Sequence, residues 1–271
     1  MKRSMWAAAA VIGLGGLVGL SQESTASQDQ SSQDFEWRGR IAQGDVIEIK
    51  GVNGPIDASF TSGDVVEVRA SKIEHRRGNA EDVEIEVVEH SGGVTICAVY
   101  PHRNGDRPNT CDIGNRWRSN THKNDVEVQF EVLIPAGVRF TGKTVNGDVE
   151  AKGLRADARV STVNGDARVE TTGLAEASTV NGSVYAVLGD SDWSGELDFS
   201  TVNGSVTVEM PAGTSANVKA NTVNGSLESD FPLTITGRFA NRRMRGTIGS
   251  GGGGDLSLST VNGSIRLRRR G

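Results

Sequence analysis

The sequence predicts an all-β protein, built as a parallel, β-helix-like solenoid of about seven short rungs with an inserted antiparallel strand set. Three observations support this fold class. Glycine contributes 35 of the 271 residues. This share is nearly twice the roughly 7% found in average proteins. Aromatic residues make up only 5% of the chain, which suits short strands, glycine turns and a core of small branched side chains. The third observation is a motif that recurs along the chain.

This motif is Thr-Val-Asn-Gly, which occurs six times. Its valines are separated by 18, 17, 22, 21 and 38 residues, and a spacing of about 20 residues is typical of solenoids. Residues 51–54, Gly-Val-Asn-Gly, are a seventh, degenerate copy. We expect the asparagines of these copies to form a structural ladder at the turns; they are Asn53, Asn146, Asn164, Asn181, Asn203, Asn224 and Asn262.

The residues that flank each motif alternate between apolar and polar types. Counted from the motif valine as zero, positions −5, −3, +4 and +6 are mostly apolar, as at Leu197, Phe199, Val206 and Val208. Alternation on both sides of Asn-Gly predicts two short strands with one buried face each. Asn-Gly between them supplies residues that tolerate positive φ.

Two architectures fit this pattern, and the periodicity alone leaves both open. In a parallel solenoid, Asn-Gly turns a corner and equivalent residues stack. In an antiparallel meander, Asn-Gly is a type I′ hairpin turn. We favour the solenoid because threonine and valine recur together with the turn residues. Stacked copies about 4.8 Å apart can form hydrogen-bonded ladders, whereas a hairpin needs only the turn chemistry.

The first 26 residues are predicted to be a signal peptide. Lys2 and Arg3 precede an apolar stretch over residues 6–20, which suits a signal segment and is short for a membrane span. The small residues Ser24 and Ala26 place cleavage after Ala26. An uncleaved N-terminal anchor is the alternative.

We expect the rest of the chain to contain one repeat domain. Residues 27–35 are a polar leader, and residues 36–271 form the repeat domain with insertions at 55–139 and 230–254. Export would place the protein in the periplasm, at the cell surface or outside the cell, with no transmembrane segment after cleavage.

The two cysteines are predicted to form a disulfide in an oxidising compartment. A bond between Cys97 and Cys111 closes a loop of about 15 residues, worth roughly 3 kcal/mol in the chain-entropy model. A metal site is the alternative, but these cysteines form no CxxC motif and only His102 lies between them.

The irregular segment over residues 101–124 is the predicted binding region. Long irregular segments in compact domains are often functional. Aromatic and arginine side chains dominate interface hot spots, and they can stack on a sugar ring or bind its acidic groups. A disulfide-tethered surface loop with a buried tryptophan is the alternative. The candidate binding residues are Trp117, Arg116, Arg118, Arg103 and Arg107.

The inserted and terminal segments lead to three further expectations. Alternating stretches within residues 55–139 predict either an antiparallel strand set or longer rungs of the same stack. The glycine-rich run over residues 238–254 lacks a phosphate-loop pattern and is interpreted as flexible. Residues 264–270 are expected to form a terminal rung whose arginines protect an exposed edge; attraction to anionic polymers is the alternative.

The sequence predicts no catalytic residues, no metal and no cofactor. It has no nucleophile elbow, zinc-protease or calcium-repeat motif. Asp148 and Asp166 share position +3, where two stacked carboxylates would suit a glycosidase or lyase centre, but such residues more often cap turns. The net charge of −5 gives no global attraction to nucleic acid.

Several motifs together resemble a known family of bacterial proteins. They are the recurring Thr-Val-Asn-Gly, Phe-Glu-Val-Leu-Ile-Pro-Ala-Gly over residues 130–137, and the ending over residues 256–265. The chain is similar in these motifs to the "putative adhesin" family of β-strand repeats, a domain-of-unknown-function family. The resemblance implies a β-helix-like fold and an envelope or surface location, and some relatives are tied to envelope-stress signalling. It implies no catalytic residues.

The leading functional hypothesis is an exported, non-enzymatic protein that binds an envelope component, either a glycan or another protein. The outer faces of the rungs and the segment around Trp117 would provide the contacts. A signalling or structural module that recruits a protein partner is the alternative. A polysaccharide-active β-helix enzyme is a further alternative.

Overall fold

Two sheets of mainly parallel strands lie face to face in the computed structural model. The structure describes residues 34–271 apart from residues 104, 115–120, 190–192, 237–240 and 251–252. A short 3-10 helix spans Ala80–Asp82. The strands are β1 (Asp34–Gly39), β2 (Val46–Lys50), β3 (Ile56–Phe60), β4 (Val66–Ile73), β5 (Glu84–His90), β6 (Gly93–Val99), β7 (Glu127–Ile134), β8 (Arg139–Lys143), β9 (Val149–Leu154), β10 (Ala158–Ser161), β11 (Ala167–Thr171), β12 (Ala175–Ser178), β13 (Val184–Leu188), β14 (Glu196–Ser200), β15 (Val206–Pro211), β16 (Ala216–Asn224), β17 (Leu227–Ser229), β18 (Thr234–Thr236), β19 (Arg242–Ile248), β20 (Asp255–Asn262) and β21 (Ile265–Arg270).

The motif corners join the two sheets. Sheet A has the strand order β1-β4-β7-β3-β9-β11-β13-β15-β21-β17, and sheet B has the order β18-β19-β16-β20-β14-β12-β10-β8-β2-β6-β5. A strand of sheet B and the strand of sheet A that follows it across a corner, such as β10 and β11, are called a rung here. Neighbouring rungs pair in parallel and in register, with Ala158 opposite Ala175 and Ala167 opposite Val184. The solenoid is confirmed and the hairpin meander is wrong, because hairpins would pair β10 with β11.

The core lies between the sheets and contains the residues that the alternation pattern predicted to face inwards. Positions −5, −3 and +4 are buried in every copy of the motif, and position +6 is buried in every copy except at the half-buried Ser229. In the rung formed by β14 and β15, for example, Leu197, Phe199, Val206 and Val208 are at most 2% exposed. Full burial of one such side chain stabilises the fold by about 1.5–3 kcal/mol, so these rows are the main source of its stability.

Threonine and asparagine of the motif hold adjacent corners together. Each motif threonine is buried, and its hydroxyl donates to the carbonyl of the motif glycine in the neighbouring rung, as from Thr179 to Gly165 at 2.8 Å. The asparagine amide of each Thr-Val-Asn-Gly copy donates to a neighbouring asparagine, as from Asn181 Nδ2 to Asn164 Oδ1 at 2.8 Å. With distances of 2.8–2.9 Å, this ladder runs through Asn53, Asn146, Asn164, Asn181, Asn203, Asn262 and Asn224.

Glycine is required in the motif because adjacent corners approach each other too closely for a side chain. A Cβ atom on Gly182 would lie 1.9 Å from the carbonyl oxygen of Gly165, and one on Gly204 would lie 1.9 Å from that of Gly182. Real Cβ atoms essentially never come within 3.0 Å of heavy atoms outside their own residue and its two chain neighbours. The motif glycine therefore sets the distance at which corners stack.

The motif valine lies on the outside of the corner. Its side chain is 37–40% exposed at Val163, Val180, Val202, Val223 and Val261. A β-branched residue suits an extended backbone, but burial in the core does not account for this position.

At the C-terminal end, the order of the rungs in the stack differs from their order in the chain. β21 pairs with β15 on one side and with β17 on the other, and β20 lies likewise between β14 and β16. The prediction that the C-terminal arginines protect a terminal edge is therefore wrong. They bind within the stack instead, as Arg268 does with Glu228 at 2.8 Å and with Asp230 at 3.3 Å.

The first inserted region contains both of the predicted alternatives. β6 and β7 form a longer rung that pairs in parallel with the outer side of β2 and β3. β4, β5 and β1 then add in antiparallel orientation. The next rung, β8 and β9, lies on the inner side of β2 and β3. The chain thus skips a place at this end, just as it does at the C-terminal end.

Two predicted boundaries change with the strands. β1 begins at Asp34, so the last two residues of the predicted leader belong to the first strand. The flexible interpretation of residues 238–254 is wrong for Arg242–Ile248, because β19 pairs antiparallel with both β16 and β18. The predicted signal peptide lies outside the described residues.

We expect Gly204→Ala to lower the free energy of unfolding by more than about 2 kcal/mol. The Cβ of the introduced alanine would overlap the backbone carbonyl of Gly182, and moving that carbonyl would disturb the packing of the adjacent corner. Gly213→Ala is the matched control, because nothing lies within 4 Å of its Cβ position. Urea unfolding measures both variants, and equal stabilities would contradict the close packing of the corners.

Candidate functional site

The predicted disulfide ties an irregular segment to the outer face of sheet B. Cys97 and Cys111 are bonded, with Cα atoms 5.6 Å apart. Cys97 lies on β6 opposite Lys50 of β2, on the face that points away from the core. The part of this segment that precedes the undescribed residues 115–120, residues 101–114, is called the tethered segment here.

A buried ion-pair network fixes the tethered segment on the sheet. Lys50 is fully buried, and its Nζ donates hydrogen bonds to the carbonyl oxygens of Asp112 and Gly114. Glu48 pairs with Lys50 at 3.2 Å and with Lys143 at 3.0 Å, and it accepts a hydrogen bond from the Gly114 amide at 3.1 Å. Strands β2 and β8 therefore hold the end of the segment at a defined position.

This network shifts the pKa values of its two buried members. Burial acts to raise the pKa of Glu48, but hydrogen bonds from Lys143 and Gly114, with the charges of Lys143 and Lys50, outweigh burial and lower it. Burial lowers the pKa of Lys50, and the charge of Glu48 offsets part of that effect. The carboxylate is thus the group whose ionised form the fold stabilises.

Tyr100 fixes the base of the tethered segment. Its hydroxyl donates to the carbonyl of Val126 at 2.7 Å, and its own carbonyl accepts from Asn109 Nδ2 at 2.7 Å. Burial raises the pKa of Tyr100, so the hydroxyl keeps its proton and its donor role.

A cleft of about 530 Å³ lies between the tethered segment and the outer face of sheet B. Ile113 and Gly114 form one wall, and the hydroxyl side chains of Thr141, Ser161 and Ser178 lie along the sheet beneath it. Charged side chains of both signs also line the cleft; they are Glu48, Arg139, Lys143, Arg159, Glu176 and Asp198. Several hydrogen-bonding groups thus converge on one concave surface.

The structure locates only part of the predicted binding set. Arg103 and Arg107 are exposed on the tethered segment and do not line the cleft. Arg116, Trp117 and Arg118 lie outside the described residues, so their binding role stays a prediction.

The sequence interpretation missed the cleft residues on the rungs. Thr141, Arg159, Glu176 and Asp198 all occupy position −4, between the two inward positions −5 and −3. Comparing this outward position among the repeats would have shown a row of polar and charged residues on one face of sheet B.

A second cleft, of about 810 Å³, lies on the outer face of sheet A. Tyr185 is 37% exposed there, with Arg168 and Arg266 also in the lining. A hydrogen bond with Glu209, together with burial, raises the pKa of Tyr185. In the described part of the chain, strands and corners form this surface.

The two aspartates at position +3 act on the backbone of the next rung. Asp148 accepts a hydrogen bond from the Asp166 amide at 2.7 Å, and Asp166 accepts one from the Ser183 amide at 2.8 Å. Such bonds are typical of turn capping. In the described part of the chain, no group of three or more histidine, cysteine or carboxylate side chains is placed to hold a metal ion.

The fold and its corner ladders define a solenoid-type β-repeat protein. The chain belongs to the Toastrack DUF4097 family, whose model matches residues 40–268. The family resemblance carried by the Thr-Val-Asn-Gly motif is thereby confirmed.

Two solved structures are similar to the chain. One is a "putative cell adhesion protein" from Clostridium sporogenes, at 11% identity and a TM-score of 0.46, over 88% of this chain and 100% of that one. The other is a "putative adhesin" from Bacteroides fragilis, at 11% identity and a TM-score of 0.30, over 86% of this chain and 96% of that one. No curated protein matches the chain. The residues described here include no helix with the length and apolar character of a membrane span.

We expect Glu48→Gln to destabilise the protein by about 3 kcal/mol, because it removes the carboxylate that pairs with the buried Lys50. Glu150→Gln is the matched control: it also breaks a pair with a lysine, at 2.9 Å from Lys152, but that lysine is 60% exposed. An exposed pair contributes at most about 1 kcal/mol. Equal losses in denaturant unfolding would contradict the structural role of the buried network.

The same network predicts how stability depends on pH. The pKa of Glu48 lies below its ordinary value of 4.5. The carboxylate therefore adds stability above that value and loses it as pH falls through its folded-state pKa. We expect the difference in unfolding free energy between wild type and Glu48→Gln to shrink below about pH 4.5. A difference that stays constant down to the acid transition would contradict this assignment.

Proposed function

We propose that the protein is an exported, non-enzymatic binding protein of the adhesin kind, which holds a component of the cell envelope in the cleft on sheet B. The component is a glycan or a protein. The observation that carries this proposal is the fixed wall of the cleft, which a disulfide and a buried ion-pair network attach to the sheet. A site fixed in advance loses little entropy when its ligand binds.

The lining of the cleft suits a polar ligand. Thr141, Ser161 and Ser178 provide hydroxyl groups that both donate and accept hydrogen bonds. Arg139 can bind a carboxylate through two parallel hydrogen bonds, and no ion pair with it occurs among the described residues. Hydroxyl-rich chains with acidic groups, such as envelope polysaccharides, combine these features.

The predicted aromatic contact lies next to this wall in sequence. Residues 115–120 follow Gly114 directly and contain Arg116, Trp117 and Arg118. An aromatic ring supplies a flat apolar surface for a sugar ring, and arginines bind acidic substituents. We therefore retain Trp117 as a proposed contact of the same site.

Recruitment of a protein partner is the second candidate function. Among the described strands, the seven-residue β5 pairs with β6 alone and lies at the end of sheet B. Its outer edge offers backbone groups to which an extended segment of another protein can add as a strand. With this function, the protein would be part of an envelope signalling or structural complex.

We expect Arg159→Ser to weaken binding to an envelope polysaccharide about tenfold, since Arg159 lines the cleft. Arg168→Ser is the matched control, because it also breaks a surface pair with a carboxylate, but on sheet A. The assay is a pull-down of protein starting at residue 27 against fractionated cell envelope, with Trp117→Ala as a third variant. Thermal melting verifies that all variants fold.

The outcomes separate the two candidate functions. If polysaccharide binding is saturable, is lost in Arg159→Ser and is kept in Arg168→Ser, the result supports the cleft as the binding site. Capture of one protein partner by all variants alike would favour strand recruitment at β5. The absence of binding to every fraction would reject an adhesin-like role.

A further inference from the structure

Three cationic side chains share the outer face of sheet B near its C-terminal end. Lys219 lies on β16, and Arg243 and Arg245 lie on β19. All three are exposed, whereas Ala220 and Met244 between them point into the core. The three cations are therefore on the same side of the sheet.

The strand register places two of these cations directly opposite each other. In the antiparallel register of β16 and β19, Lys219 lies opposite Arg245, and Asn221 lies opposite Arg243 two residues away. Directly opposite side chains in an antiparallel pair have Cβ atoms about 4.5–5.5 Å apart, and like charges there are destabilising. The fold thus maintains an arrangement that repels itself.

Among the described residues, these cations lack the carboxylate partners that several other arginines have. Arg159 pairs with Glu176, and Arg268 pairs with Glu228. Among the described residues, no ion pair within 4.0 Å involves Lys219, Arg243 or Arg245. On β20, the strand next to β16, the residue opposite Lys219 is the neutral Ser257.

We propose that Lys219, Arg243 and Arg245 form a binding site for a phosphate group. A phosphate carries up to two negative charges and several strong acceptor oxygens, which suits two arginine forks and an ammonium group. Its charge offsets the repulsion between Lys219 and Arg245. The group is either free inorganic phosphate or a phosphate on an envelope polymer. The site lies outside the cleft and does not depend on the adhesin proposal.

The test compares two double variants that change the net charge equally. Arg243→Thr/Arg245→Thr removes two cations from the site and keeps residues that suit a strand. Arg76→Thr/Arg77→Thr removes two exposed arginines at the other end of the stack. Both change the formal charge from −5 to −7. A general effect of charge therefore affects both variants alike.

We expect linear polyphosphate to bind wild type and the Arg76/Arg77 variant alike, and the Arg243/Arg245 variant about tenfold more weakly. Calorimetric titration at fixed ionic strength measures these affinities.

Thermal melting provides a second measurement. Without an added anion, the Arg243/Arg245 variant should melt no lower than wild type, because the repulsion between cations is removed. Added polyphosphate should raise the melting temperature of wild type and not of this variant.

Inorganic phosphate and polygalacturonate distinguish the ligand sources. Binding of inorganic phosphate that the Arg243/Arg245 variant loses assigns the site to the free ion. Binding of polyphosphate alone assigns it to a phosphate within a polymer. A loss of polygalacturonate binding in the Arg243/Arg245 variant as large as its loss of polyphosphate binding, equal polyphosphate affinities in the two double variants, or no binding of polyphosphate by wild type would overturn the proposal.

Discussion

The close approach of glycine backbones at the corners is the constraint on which the other features of the stack depend. Because Gly182 and Gly204 carry no side chain, one corner can lie directly on the next. That spacing brings Thr201 within 2.8 Å of the Gly182 carbonyl and Asn203 within 2.8 Å of Asn181. It also aligns the apolar rows of the two sheets in register, so the same geometry produces the ladders at the corner and the core between the sheets.

Equivalent corners make the rungs interchangeable in the stack, and the connections decide where each one goes. The copies around Asn224 and Asn262 present the same threonine, asparagine and glycine groups to a neighbour. Motif chemistry therefore allows either copy to lie next to Asn203. The β18–β19 hairpin between them covers the outer side of β16, and this keeps the copy around Asn224 at the end of the stack. The N-terminal end follows the same rule with β4 and β5.

The sequence predicted the local features of the fold better than the order of the rungs in the stack. Alternation identified the inward residues and the motif identified the corners, because both depend on neighbours in the chain. The order of the last rungs depends on a choice between equivalent partners, which periodicity does not contain. The cleft was missed for a related reason: Glu48 and Gly114 are 66 residues apart, and only the stack brings them together. The disulfide was predicted because two cysteines usually pair in an oxidising compartment, to which the predicted signal peptide would direct the chain.

The division between constant and variable positions explains how one sheet can carry the two proposed binding surfaces. The residues at the corners and in the inward rows must pack against their equivalents in the next rung. The residues at outward positions need only tolerate contact with solvent. Position −4 uses this freedom, since it is Arg159 in one rung and Lys219 in another. Two strand spacings, or about 10 Å, separate β14, which lines the cleft through Asp198, from β16 at the proposed phosphate site. A linear polymer along sheet B can therefore contact both surfaces, and its affinity then exceeds that of either site alone.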